Sequence, residues 1–387
     1  MVTAHYDDLT IEDLSGVLGV KWNKFPDCIG AFVAEMDFRT APPVIEALQE
    51  IVQEGFFGYL PEQRSNELSA AVSAWYANTT GWEVPAEWIY PLPDVIKGLE
   101  VTLTHFAPKG GKVIVPTPAY MPFLFVPEFH GREIVQVPML EHDGRYTYDL
   151  DAIDRAFADG GEVLIICNPH NPIGRVLTRE EMLAISEVVD RHGGRVFSDE
   201  IHAPLIYEGH THVPYASISE TAANHTVTAI AASKAWNLAG LKCAQIVISN
   251  ERDNESWKDG AWWAGHGASS LGVVASTVAW TQGQPWLDDI IAYLDGNRKL
   301  MANLVAEHLP GVRYTPPEGT YLGWLDFRET PLDGDLAEFF RENAKVAVVD
   351  GAACGEVASR FVRFNIAMPQ PILARSVRQM AEALQNV

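Results

Sequence analysis

"VLIICNPHNPIGRVLTREEMLAISEVVDRHGGRVFSDEI", residues 163–201, reads as strand, helix, strand. "VLIICNP" (163–169) is a short apolar run rich in β-branched residues. "TREEMLAISEVVDRHGG" follows (178–194): Thr178 and Glu181 stand at capping-box spacing, apolar residues recur at helical spacing, and Gly193 stops the helix. "RVFSDEI" (195–201) is a second strand. Moving outward, the same rhythm extends from about residue 110 to 250. It adds "KVIVP" (112–116), "EIVQVPM" (133–139), "TVTAIAAS" (226–233) and "CAQIVIS" (243–249) as strands. Strands alternating with amphipathic helices imply an α/β fold with a mainly parallel sheet sandwiched by helices. Polar residues gather where strands end, at Asn168 to Asn171, Asp199 and Lys234. Ligands of open α/β sheets sit at those carboxyl ends.

The last hundred residues change character. "YLDGNRKLMANLVAEHL" reads as a long helix, and "TYLGWLDF" (320–327) and "RFVRFNIAM" (360–368) as strands. They are expected to form a smaller α+β domain, with the Gly-, Pro- and Asp-containing N-terminal forty residues wrapped onto it. The expected division is a large domain over 48–287 and a small one over 1–47 and 288–387. No internal repeat or low-complexity segment interrupts the chain.

The 387 residues suffice for a sizeable core, and a hydrophobic fraction of 47% is that of a globular protein. The net charge of −23 argues against nucleic acid and anionic membranes as partners. Any anionic ligand then needs a local positive site. The four cysteines, Cys28, Cys167, Cys243 and Cys354, form no CxxC pair and no zinc-like cluster with histidine. That usage suits a reducing cytoplasm and points to no metal. The N-terminus has no signal-peptide pattern, and no apolar run is long enough to span a membrane.

In this acidic chain "AASKAWNLAGLK" (231–242) carries two lysines, Lys234 and Lys242, in an apolar stretch, with Ser233 beside the first. Together with "AFVAEMDFRTAPPVIEALQE", "FFGYLPE", "CNPHNPIGRV", "SDEIHAPLIY" and "PEGTYLGWLDFR", taken in order, this stretch carries a resemblance over nearly the whole chain. The sequence resembles the pyridoxal 5'-phosphate enzymes of aminotransferase class I/II, fold type I. Within them it is similar to the cystathionine β-lyase and cysteine-conjugate C–S lyase branch.

The resemblance implies a role for each matching residue. Lys234 falls at the Schiff-base lysine, and desolvation near other positive charge would lower its pKa for proton transfer. Asp199 matches the aspartate that pairs with the pyridine nitrogen, although Asp after a strand is also a common cap. Asn171 matches the partner of the ring 3-oxygen, and Tyr120 the aromatic stacked on the ring. His202 stands where other members place a tyrosine near the 3-oxygen, and its role is open. Ser233, Lys242 and the backbone of Val95 and Ile96 are expected at the phosphate. Asp94 stands where relatives usually carry glycine. Either its side chain turns away as a helix cap, or phosphate binding is altered. Tyr59 resembles a tyrosine that reaches the neighbouring active site of a homodimer. Arg363 resembles the arginine on the substrate α-carboxylate, with Arg360 expected on the opposite strand face. Trp262, Trp263 and His266 line either the side-chain pocket or an interface.

These residues suit a small-molecule amino-acid substrate. The site residues themselves serve elimination and transamination equally. The branch resemblance favours α,β-elimination of L-cystathionine or related S-conjugates; the alternative is an aminotransferase using a 2-oxo acid.

Overall fold

The computed structural model describes residues 6–107 and 109–387. Its central sheet has seven strands: β1 (Ile89–Leu92), β2 (Lys112–Thr117), β3 (Ile134–Pro138), β4 (Gly161–Cys167), β5 (Arg195–Asp199), β6 (Thr226–Ile230) and β7 (Ala244–Ile248). Their order across the sheet is β1–β7–β6–β5–β4–β2–β3. All are parallel except β7, which runs antiparallel to both of its neighbours. The six strands expected between residues 110 and 250 are all present, trimmed or extended by one to three residues. Edge strand β1 is new. Its Pro91 disguises it, because proline lacks the N–H a ladder needs and is tolerated at an edge.

The helix between β4 and β5 shows why this segment folds as it does. Thr178 Oγ1 accepts from the Glu181 N–H at 3.2 Å, and the Glu181 carboxylate accepts from the Thr178 N–H at 2.8 Å. The capping box is therefore closed in both directions. Met182, Ile185, Val188 and Val189 form the buried face of Arg179–Arg191. Burial of each such side chain stabilises by about 1.5–3 kcal/mol. An Asp in place of Ile185 would put an unpaired charge there and undo the packing. Glu181 also binds Arg175 Nη2 at 2.8 Å, and so steadies the loop that carries Asn171. On another helix, Gly98 permits close approach to the sheet: an added Cβ would lie 3.1 Å from the Ala229 Cβ.

Toward the C-terminus, Gln284–His308 is one continuous 25-residue helix, longer than the sequence pattern indicates. It runs unbroken past position 287. Five short strands follow, four of them forming an antiparallel sheet with Leu322–Asp326 and Phe361–Asn365 side by side at its centre. From the other end of the chain, Ile29–Gly30 pairs in parallel with Val346–Ala347. This pairing starts a segment that runs directly to the site. No described helix is long and apolar enough to cross a membrane.

Candidate active site

A cavity of about 450 Å³ opens beside the ends of the central strands. Its wall includes Asp94, Val95 and Ile96 at the start of one helix, Tyr120 and Phe125 after β2, and Ile201 after β5. Ser233, Lys234 and Lys242 complete it between β6 and β7. A second cavity of about 290 Å³, between Tyr146, Arg313 and Trp324, contains none of the residues singled out in the sequence.

Lys234 lies in the short helical turn Ala232–Ala235 that follows β6. Its Nζ donates to the Ala34 carbonyl at 2.8 Å. Burial, and then the charge of Arg363, push the amine down to about 8, while Glu35 and Asp199 oppose the shift. Asp199 is the last residue of β5 and is buried. Its Oδ1 accepts from the Ile201 N–H at 3.0 Å. Burial dominates and pushes its carboxyl up to about 7. Buried His202 is pushed down to about 3, first by burial and then by the charges of Lys234 and Arg363. Its Nδ1 has no hydrogen-bond partner among the described residues. Its ring stands edge-on to Tyr321, with centroids 6.0 Å apart.

Arg363 is buried in the strand Phe361–Asn365. It donates to the Phe32 carbonyl at 2.9 Å and to Asn171 Oδ1 at 3.2 Å. Arg360 is not on the opposite face of that strand, as alternation suggests. It precedes the strand in a left-handed turn, φ +66°, and its guanidinium binds the Phe327 and Thr330 carbonyls. Buried Asn171 therefore faces the arginine with its carbonyl oxygen. Tyr120 packs edge-on against Phe123, with centroids 5.4 Å apart, and presents its ring to the cavity.

Asp94 does act as a cap: its Oδ1 accepts from the Lys97 N–H at 3.0 Å. It has not turned away, because its Oδ2 binds Lys242 Nζ at 2.8 Å. Lys242 itself adopts φ +50°. The helix Ser270–Gln282 presses against this turn so closely that a Cβ on Gly272 would lie 2.2 Å from the Leu241 carbonyl. Tyr59 is 89% exposed and lies outside this chain's cavity lining. It stacks on His266, which stacks on Trp263 at 4.3 Å. Trp262 and Trp263 are likewise exposed and outside that lining.

One component has no counterpart in the individual residue assignments, the strap Phe32–Phe38. Asn365 Nδ2 holds the Val33 and Glu35 carbonyls, each at 2.6 Å. Tyr321 holds the Ala34 carbonyl at 2.8 Å, beside the bond from Lys234. Asn237 holds the Met36 and Phe38 carbonyls at 3.0 and 2.9 Å. Buried Lys21 pairs with Asp37 at 2.9 Å and donates to the Glu35 carbonyl. The strap thus touches both Lys234 and Arg363 through its backbone. Backbone carbonyls leave no signature in residue type. Only the motif "AFVAEMDF" hinted that the segment matters.

Residues 27–379 match the family described as aminotransferase class I and II. The chain is 40% identical to a cystathionine beta-lyase of Corynebacterium glutamicum, covering 97% of this chain and 99% of that protein. It is 35% identical to the cystathionine beta-lyase PatB of Bacillus subtilis, covering 96% and 98%. The crystal structure of cystalysin from Treponema denticola, which contains pyridoxal 5'-phosphate, superposes with a TM-score of 0.91. Identity there is 29%, covering 98% and 99% of the two chains. With the match running through every element that lines the cavity, the chain belongs to the aminotransferase class I and II family.

Proposed function

We propose that this chain is a pyridoxal 5'-phosphate-dependent carbon–sulfur β-lyase. It cleaves L-cystathionine or other cysteine S-conjugates to a thiol, pyruvate and ammonia. The observation that carries the reading is Lys234, a half-buried amine at the wall of the cavity, held on the Ala34 carbonyl and lowered to about 8. The donor set fits the cofactor. A buried carboxylate raised to about 7 suits a protonated ring nitrogen, and a lysine and a hydroxyl on the same wall suit a phosphate. In this reading Asp199 meets the pyridine nitrogen, Asn171 the 3-oxygen and Tyr120 the ring face. Lys242, Ser233 and the backbone of Val95 and Ile96 meet the phosphate, and His202 sits behind the ring oxygen.

When bound, the cofactor supplies an electron sink for the charge left on Cα as its proton departs. Arg363 grips the α-carboxylate with its planar fork and fixes which Cα bond faces Lys234. The neutral Lys234 Nζ removes the Cα proton. Its pKa lies near working pH, so it then returns the proton to the sulfur as the Cβ–S bond breaks and the electron pair leaves with the thiolate. Water converts the remaining three-carbon fragment to pyruvate and ammonia. Tyr321 and the Ala34 carbonyl limit where the lysine amine can swing. The reading includes a cytoplasmic homodimer in which Tyr59 reaches the neighbouring site; its exposure supports that role.

The test is a product assay with purified protein, cofactor and L-cystathionine, without any 2-oxo acid. Equal release of pyruvate and free thiol is expected. Absence of thiol, with amino-group transfer once 2-oxoglutarate is added, would instead make the protein an aminotransferase.

A further inference from the structure

The phosphate corner of the cavity contains a charge that the proposed chemistry does not use. Asp94 lines the same wall as Ser233 and Lys242. Its two carboxylate oxygens are committed separately, one to the Lys97 N–H and one to Lys242 Nζ. The cap fixes the carboxylate in place, and the ion pair ties up the cation that a phosphate would seek. Of the other charges on this wall, Lys97 and Glu100 pair with each other, and Lys234 donates to the Ala34 carbonyl. The corner therefore offers an anion one positive and one negative charge.

Resting on the cofactor reading above, we infer that Asp94 is a built-in competitor for the cofactor phosphate and sets how loosely this chain holds pyridoxal 5'-phosphate. Two anionic oxygens on one ammonium stand about 5 Å apart. At that distance a carboxylate and a phosphate dianion repel. The side chains of Lys242 and Asp94 are 61% and 41% exposed, so water screens the repulsion without removing it. The expected penalty is roughly fivefold to tenfold in cofactor affinity. Pre-ordering of Lys242 by Asp94 acts in the opposite direction. It is the smaller effect, since exposed pairs of this kind order their lysine weakly.

The test compares equilibrium binding of pyridoxal 5'-phosphate with that of pyridoxal, which has the same ring and aldehyde but no phosphate. The proteins are wild type, Asp94→Asn and Asp94→Ser, each stripped of cofactor and checked by circular dichroism. Asn and Ser both keep a cap-competent oxygen at this position, so the helix start survives. Both variants should bind pyridoxal 5'-phosphate roughly fivefold to tenfold more tightly than wild type, with pyridoxal affinity unchanged. Unchanged or weaker binding of pyridoxal 5'-phosphate by the variants, alongside normal binding by wild type, would overturn the inference and leave the cofactor reading intact. Equal shifts for both ligands would also overturn it, because the effect would then not act through phosphate. Failure of wild type and variants alike to bind either ligand would overturn the cofactor reading together with this inference.

Discussion

Arg363→Lys is the most discriminating perturbation of the proposed substrate site. The side chain is buried, and its fork already holds the Phe32 carbonyl and Asn171 Oδ1. Lysine would keep the charge and lose the planar pair of donors. A hydrogen bond to a charged group contributes about 1.5–3 kcal/mol. Losing one of two bonds to the α-carboxylate then lowers kcat/KM for L-cystathionine roughly 10- to 150-fold, at about 1.4 kcal/mol per factor of ten. Most of the loss should appear in KM if the bond serves binding, and in kcat if it serves to aim the Cα proton at Lys234. Steady-state pyruvate release measures both, and the visible absorbance of the bound cofactor should be unchanged. Arg360→Lys is the matched control. That guanidinium is occupied by the Phe327 and Thr330 carbonyls, so kcat/KM should stay within about twofold. A loss under threefold for Arg363→Lys would refute the carboxylate assignment, and a large loss for Arg360→Lys alone would reverse it.

Lys234→Ala should abolish turnover and the cofactor's lysine-linked absorbance, with melting of the cofactor-free protein little changed; residual turnover above about one-thousandth of wild type would exclude this lysine as the proton carrier. Tyr321→Phe removes one bond to the Ala34 carbonyl and should lower kcat about fivefold with KM nearly constant, read from the same pyruvate assay. His202 has its folded pKa lowered from 6.5 to about 3, so between those pH values the unfolded chain holds a proton that the folded chain does not. Stability from this group is therefore full above pH 6.5 and is lost as pH falls toward 3. His202→Phe should flatten that part of the melting curve against pH; buried His170 and His225, each lowered to about 4, add slope of the same sign, while Asp199, raised to about 7, acts in the opposite direction.

The parts legible in the sequence are those written in local patterns. The Thr178–Glu181 box, the alternation of strands and helices, and the polar residues closing β5 and β6 all follow from residue type and spacing. Edge strand β1 was hidden because Pro91 and the turn after it outweigh four residues of β pattern. The contrast between the two arginines could not come from alternation. A left-handed residue at 360 resets the chain before the strand begins. The ion pair between Asp94 and Lys242 joins positions 148 residues apart, and no local rule reaches that far. The strap escapes for a related reason. Its donors are side chains, but its acceptors are carbonyls that every residue possesses.

The strap also bears on the order in which the protein is made. Phe32 meets Arg363 across 331 residues, and Val33 meets Asn365 across 332. Residues 32–38 leave the ribosome long before Arg363 and Asn365, two of the side chains that anchor them. Until Phe361–Asn365 appears, the Phe32 and Val33 carbonyls lack the side-chain donors they have in the finished fold, and the strap beside Lys234 is held by fewer bonds. A nascent chain truncated just before residue 361 would hold a nearly complete central sheet and no working site. The substrate arginine and the strap it holds therefore come together only once residues 361–365 have been made, and two segments more than 300 residues apart complete the site jointly.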